Sequence, residues 1–66
     1  MNTELLMDEI KKANISLKDL YVMLNISRSS LYRKLTGKTE FTRSEVEQLS
    51  KKLNLSKEKI YEIFFR

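Results

Sequence analysis

The tripeptide Asn–apolar–Ser occurs three times in this chain, as Asn14-Ile15-Ser16, Asn25-Ile26-Ser27 and Asn54-Leu55-Ser56. Each word holds an end and a start. Asn tolerates the left-handed backbone conformation in which helices commonly terminate. Ser is a strong N-cap for a helix that begins at the next residue. The apolar residue between them stands one position before the cap, where it packs on the fourth residue of the new helix. The spacing supplies that partner each time: Ile15 with Leu20, Ile26 with Leu31, Leu55 with Ile60. A fourth start obeys the same rule, with Phe41 before Thr42 and Val46 as its partner. There Glu45 completes a capping box, and Asp19 stands in the same relation to Ser16.

A chain punctuated in this way is a set of short helices. Five are predicted, over about residues 3–13, 17–24, 28–36, 43–53 and 57–65. Their inward stripes are Leu6 and Ile10, then Leu17, Leu20 and Leu24, then Leu31 and Leu35. The fourth and fifth helices contribute Val46, Leu49 and Leu53, then Ile60, Ile63 and Phe64. Gly37 ends the third helix. No segment alternates as a strand would, so the fold class is all-α, with one domain over residues 1–66. A domain this short buries only ~60% of the surface its unfolded chain exposes, so its stability margin is thin.

Several chemistries drop out. With no cysteine there is no disulfide and no thiolate metal site. With no histidine, the commonest general base and zinc ligand is missing. The carboxylate pairs Glu4/Asp8 and Glu58/Glu62 lie on surface helices of a domain too small for a cleft. The expectation is a protein that is not an enzyme and holds no cofactor or metal. No apolar run approaches the ~18 residues of a membrane span, and the start of the chain lacks a basic secretory segment. A cytoplasmic protein is expected.

The formal charge is +4, and its placement matters more than its size. Residues 27–43 hold Arg28, Arg33, Lys34, Lys38 and Arg43 against Glu40 alone, a local excess of +4. The flanking segments come to −1 and +1. A basic window on a near-neutral chain points to a polyanion. Within it, the second and third helices are joined by a short turn around Asn25-Ile26, the geometry of a helix-turn-helix. Leu31 and Leu35 face inward. Ser29, Arg33 and Thr36 face outward, flanked by Ser30 and Tyr32, with Arg28 in the first turn. That outer face contains no acid, whereas the first helix mixes Glu4, Asp8, Glu9, Lys11 and Lys12. Arg bonds guanine O6 and N7 bidentately, and Ser or Thr contacts bases or phosphates.

The stretch from Ile15 through Asn25-Ile26-Ser27-Arg28-Ser29-Ser30-Leu31-Tyr32-Arg33-Lys34-Leu35-Thr36-Gly37-Lys38 resembles the phage Cro/C1-type repressor family. Residues 41–55 look like that family's fourth helix and following turn, and the ending Ile60-Tyr61-Glu62-Ile63-Phe64-Phe65 is similar to small phage-derived regulators of Gram-positive bacteria. The resemblance implies a five-helix lambda-repressor-like fold whose third helix enters the major groove of double-stranded operator DNA. It implies Arg28, Ser29 and Arg33 as base readers, with Ser30 and Tyr32 as further candidates. Ser16, Lys18, Lys34, Thr36, Lys38, Thr39 and Arg43 are the phosphate candidates. It implies a homodimer on DNA, for which Phe64 and Phe65 are the candidate contact, and no membrane or small-molecule substrate. Three positions depart from the family pattern: Leu17 where Gln often binds phosphate, Asn25 where Gly is preferred, and Tyr21 where a small Ala lets the helices approach. Two functions compete. One is a DNA-binding transcriptional regulator, a Cro-like repressor. The other is a protein-interaction module, such as an antirepressor or antitoxin, that reuses the fold.

Overall fold

Asn14, Asn25 and Asn54 adopt left-handed φ values of 55°, 57° and 52° in the computed structural model, which describes residues 1–66. Gly37, at 82°, is the fourth such position. Each one ends a helix. The order is α1 (Thr3–Lys12), α2 (Leu17–Met23), α3 (Arg28–Leu35), α4 (Arg43–Lys52) and α5 (Lys57–Ile60), which runs on into one π-helical turn (Tyr61–Phe65). No helix is long and apolar enough to cross a membrane.

The helix ends share one hydrogen-bond pattern. After α2, the Asn25 N–H donates to Val22 O at 3.1 Å and the Ile26 N–H to Tyr21 O at 3.0 Å. That pair of bonds is a Schellman motif, which satisfies carbonyls the helix leaves free. The same pair recurs after α3, from Gly37 to Lys34 and from Lys38 to Arg33, and after α4, from Asn54 to Lys51 and from Leu55 to Ser50. After α1 the second bond is longer, 3.5 Å from Ile15 to Ile10. The apolar residue of each tripeptide thus closes one helix and precedes the cap of the next. Ile15, Ile26, Phe41 and Leu55 are all half-buried against the core. The caps close as the spacing requires: Ser16, Ser27, Thr42 and Ser56 accept from the N–H groups of Asp19, Ser30, Glu45 and Lys59. Capping boxes form at Ser16 and at Thr42.

Because Asn25 sits at φ 57°, a side chain that cannot hydrogen-bond locally is strained there. Asn25→Ala is expected to cost about 1 kcal/mol, while Asn25→Gly holds stability. In a domain of this size that is a fall of roughly 4–8 °C in Tm for the Ala variant alone. Equal melting of the two variants would refute this account of the turn.

Nine side chains, from α1 to α4 with the caps of α2 and α4 and from the π turn, form the core: Leu6, Ile10, Leu20, Leu24, Leu31, Leu35, Leu49, Leu53 and Ile63. Of the other residues read as inward, Leu17 and Phe64 are half-buried against it, and Val46 and Ile60 are half-buried without joining it. Fully burying one Leu or Ile is worth ~1.5–3 kcal/mol, so this cluster carries most of the stability of a chain with no staple. Two features of the ends go beyond the sequence expectation, although Asn is itself a strong N-cap residue. Asn2 caps α1 by accepting from the Leu5 N–H at 3.0 Å, and its own N–H donates to Ile63 O at 2.7 Å. The final turn widens to π rather than continuing as α-helix. In that turn Ile63 is completely buried, and the Phe64 ring meets Phe41 edge-on at 6.0 Å.

Candidate nucleic-acid interface

Four residues, Leu24 to Ser27, separate α2 from α3. Leu20 of α2 and Leu24, the residue that caps its end, lie in one cluster with Leu31 and Leu35 of α3, so the inner faces of both helices are fixed by leucines. Tyr21 and Leu17, the departures from the family pattern on α2, are half-buried and packed against that cluster. The Leu17 side chain is therefore spent on packing. Tyr21 lies half-buried at the edge of the core while α2 still meets α3.

With Leu31 and Leu35 turned in, α3 turns Ser29, Arg33 and Thr36 out. Arg28, Ser29, Tyr32 and Arg33 are exposed and Ser30 is half-buried. The two arginines are held on their own helix. Arg28 Nη2 donates to the Tyr32 hydroxyl at 3.3 Å, and its guanidinium lies 5.2 Å from the centre of that ring. The hydrogen bond to Tyr32 is the main cause that raises the Arg28 pKa further above its already high ordinary value. Arg33 Nη2 donates to Ser30 Oγ at 3.2 Å. Neither arginine is paired with a carboxylate, and α3 carries no acid. Both charges remain available to an incoming anion.

The phosphate candidates divide into two groups. Lys18, Lys38 and Thr39 are exposed, as is Ser16, whose hydroxyl caps α2. Arg43 is exposed too, and its pairing with Glu47 at 3.5 Å is a surface contact. Such pairs contribute ~0–1 kcal/mol and are readily exchanged for another anion. Thr36 and Lys34 already spend their polar atoms on the protein, Thr36 at the exposed end of α3 and Lys34 in the interior. The Thr36 hydroxyl donates to its own helix at Tyr32 O, 3.0 Å away. Lys34 Nζ lies 2.9 Å from Glu45 Oε1 and 3.2 Å from Glu40 O, with only 13% of its side chain exposed. The basic window therefore presents Arg28, Arg33, Lys38 and Arg43 outward, and Lys34 inward.

Glu45 was legible as a cap residue but not as the partner of Lys34. Its Oε1 also accepts from the Thr42 N–H at 2.8 Å, and its own N–H donates to Thr42 Oγ1 at 3.1 Å. Desolvation pushes this carboxyl up. The hydrogen bonds from Lys34 and Thr42 and the Lys34 charge outweigh it and hold the pKa below the ordinary carboxylate value. No buried side-chain N or O is left without a partner.

Of the candidate dimer residues, Phe64 is half-buried against Phe41, while Phe65 is 66% exposed and Tyr61 58%. Phe65 borders an open groove lined by Phe41, Val46 and Ile60.

Two short helices fixed by leucines across a four-residue turn, the second with an acid-free outer face, define a helix-turn-helix DNA-binding regulator. A helix-turn-helix family model of the Cro/C1 type matches residues 6–60, and the chain belongs to that family. Comparison with curated proteins finds no match, and comparison with solved structures finds none.

Proposed function

We propose that this chain is a Cro-like repressor that binds an operator as a pair of copies and blocks access to a promoter. The observation that carries it is the outer face of α3: two arginines free of any carboxylate, on a helix with no acid, at the second position of a helix-turn-helix. Arg33 lies opposite the buried Leu31 and Leu35 and is exposed, so it points away from the core, as a base reader must. Ser29 and Arg28 stand at the leading end of the helix, which enters the groove first in this motif. Ser30 and Tyr32 hold the two arginines before binding. Lys18, Lys38, Thr39, Ser16 and Arg43 flank the helix as phosphate contacts.

The size of the molecule supports two copies. Its longest dimension is 28 Å, shorter than the ~34 Å between successive major grooves on one side of the duplex. One copy reads one half-site. The exposed Phe65, beside Tyr61 and the Phe41–Val46–Ile60 groove, is apolar surface suited to a contact between copies, with Phe64 as its inner support.

Selection of bound duplexes from a random pool tests this reading. A two-fold symmetric consensus is expected. On that consensus Arg33→Ala should cost ~1–3 kcal/mol and relax preference at one base pair in each half. A pool with no enriched sequence would favour the protein-interaction alternative. An equal loss on every duplex would make Arg33 a phosphate contact instead.

A further inference from the structure

We propose that Lys34 is a positioning residue for DNA binding: with Glu45 it braces the loop that carries Lys38 and Thr39 against the end of α3. The inference rests on the DNA-binding reading above, and it assigns to the interior a lysine that its sequence position puts among the phosphate contacts. The ammonium sits where three segments meet. It donates to Glu45 on α4 at 2.9 Å and to the Glu40 carbonyl in the loop at 3.2 Å. It also lies 5.9 Å from the centre of the Phe41 ring, within reach of a cation–π attraction. Glu45 is the one buried charged residue of the molecule, and the same oxygen that meets Lys34 accepts from the Thr42 N–H.

The geometry closes a short circuit. From Lys34 the chain leaves α3 through Gly37, passes Lys38 and Thr39, and returns to α4 at Arg43. At its near end the loop is tied by the Lys38 and Thr39 N–H groups, which both donate to Arg33 O, at 2.9 and 3.3 Å. At its far end it is tied by the Thr42–Glu45 capping box. Lys34 joins the two ends. An exposed ion pair would be screened and nearly neutral in energy, but here both side chains are close to nine-tenths buried. Removing one partner leaves the other charge buried and uncompensated, so the loop must rearrange to reach water. Arg33 shares the circuit, since its carbonyl is the acceptor for the loop N–H groups. Loop position and the reading helix are therefore coupled.

A double-mutant cycle with Lys34→Met and Glu45→Gln tests this, with the whole chain, the selected operator and a temperature at which circular dichroism shows each variant folded. The Glu45→Gln side chain keeps a carbonyl oxygen to accept from the Thr42 N–H, so the cap survives. The expected result is that each single variant weakens operator binding about tenfold, that the double variant is no worse than the poorer single, and that both singles share one salt slope. Exchange of the Lys38 and Thr39 amides should quicken in the DNA-free protein. The contrary result is distinct. If Lys34 were a phosphate contact, Glu45→Gln would free its ammonium and leave binding equal or tighter, while Lys34→Met alone would lower the salt slope by ~1. Should Lys34→Met not fold, Glu45→Gln decides by itself: weaker binding supports the brace and equal or tighter binding overturns it. Failure of the unaltered chain to bind any duplex would overturn the repressor reading and this inference with it. The amide exchange would then tell whether the brace itself exists.

Discussion

Operator binding is expected to weaken by ~10³–10⁵-fold when salt is raised from 50 to 200 mM. The range follows from counting cations. Lys18, Lys38 and Arg43 are exposed, and in the proposed complex each copy would turn them to phosphate, with Arg28 and Arg33 adding to these to the extent that they leave the base edges. That is roughly three to five counterions released per copy and six to ten for a pair. A single copy on a half-site would lose only about 40–500-fold over the same interval. The slope therefore measures stoichiometry as well as electrostatics. A two-copy slope on the full operator and half that value on an isolated half-site would agree with a repressor that pairs on DNA. A flat response would sink the account, because it would mean that the basic window meets no polyanion.

Which lysines enter that count is where sequence and structure part. The charge of residues 27–43 is a sum over a window, and a window carries no information on which way each side chain turns. Lys34 lies on the flank of α3 between the inner leucines and the outer arginines, so helical periodicity left its direction open. Its partner Glu45 is eleven residues away across a loop, and no local spacing rule links them. The arginines were different. Arg33 stands opposite Leu31 and Leu35, and that placement follows from the period of the helix alone. Its contact with Ser30 is a three-residue neighbour relation of the same kind.

The helix boundaries were legible for the same reason that the ion pair was not. Capping and the left-handed Asn are local interactions, complete within about six residues, and the tripeptides state them in order. What lay beyond reach depends on the two ends of the chain meeting. Asn2 donates to Ile63 O, and the turn containing Ile63 widens to π. The Asn2 contact bears no mark in the sequence, since its partner is some sixty residues off. Tyr21 falls between the two cases. It stands where the family pattern has a small Ala, and its half-burial against the core edge is a packing solution that only the assembled helices define.

Leu31→Ala is expected to destabilise the chain by ~2–5 kcal/mol. Leu31 is completely buried, at the middle of α3, and it belongs to the cluster that holds α3 on α2. A chain of this length has in total roughly 3–10 kcal/mol of stability. The loss is therefore a large share of the whole, and a fall in Tm of at least ~10 °C follows. Val22→Ala is the matched control: Val22 is 62% exposed on α2, and Ala suits a helix better, so its stability should stay within about 0.5 kcal/mol of the unaltered chain. A loss below about 1 kcal/mol at Leu31 would show that α3 is not docked through this side chain, and the orientation of Arg33 would lose its basis. The operator supplies a second reading of the same variant. A ligand that binds only the folded state adds ~2.7 kcal/mol of stability at a concentration a hundred times its Kd. Operator duplex should thus restore much of the lost Tm in Leu31→Ala, provided the variant regains its reading face when it refolds on DNA. Rescue by operator and none by an unrelated duplex at about 200 mM salt would tie the buried leucine to the readable face it supports.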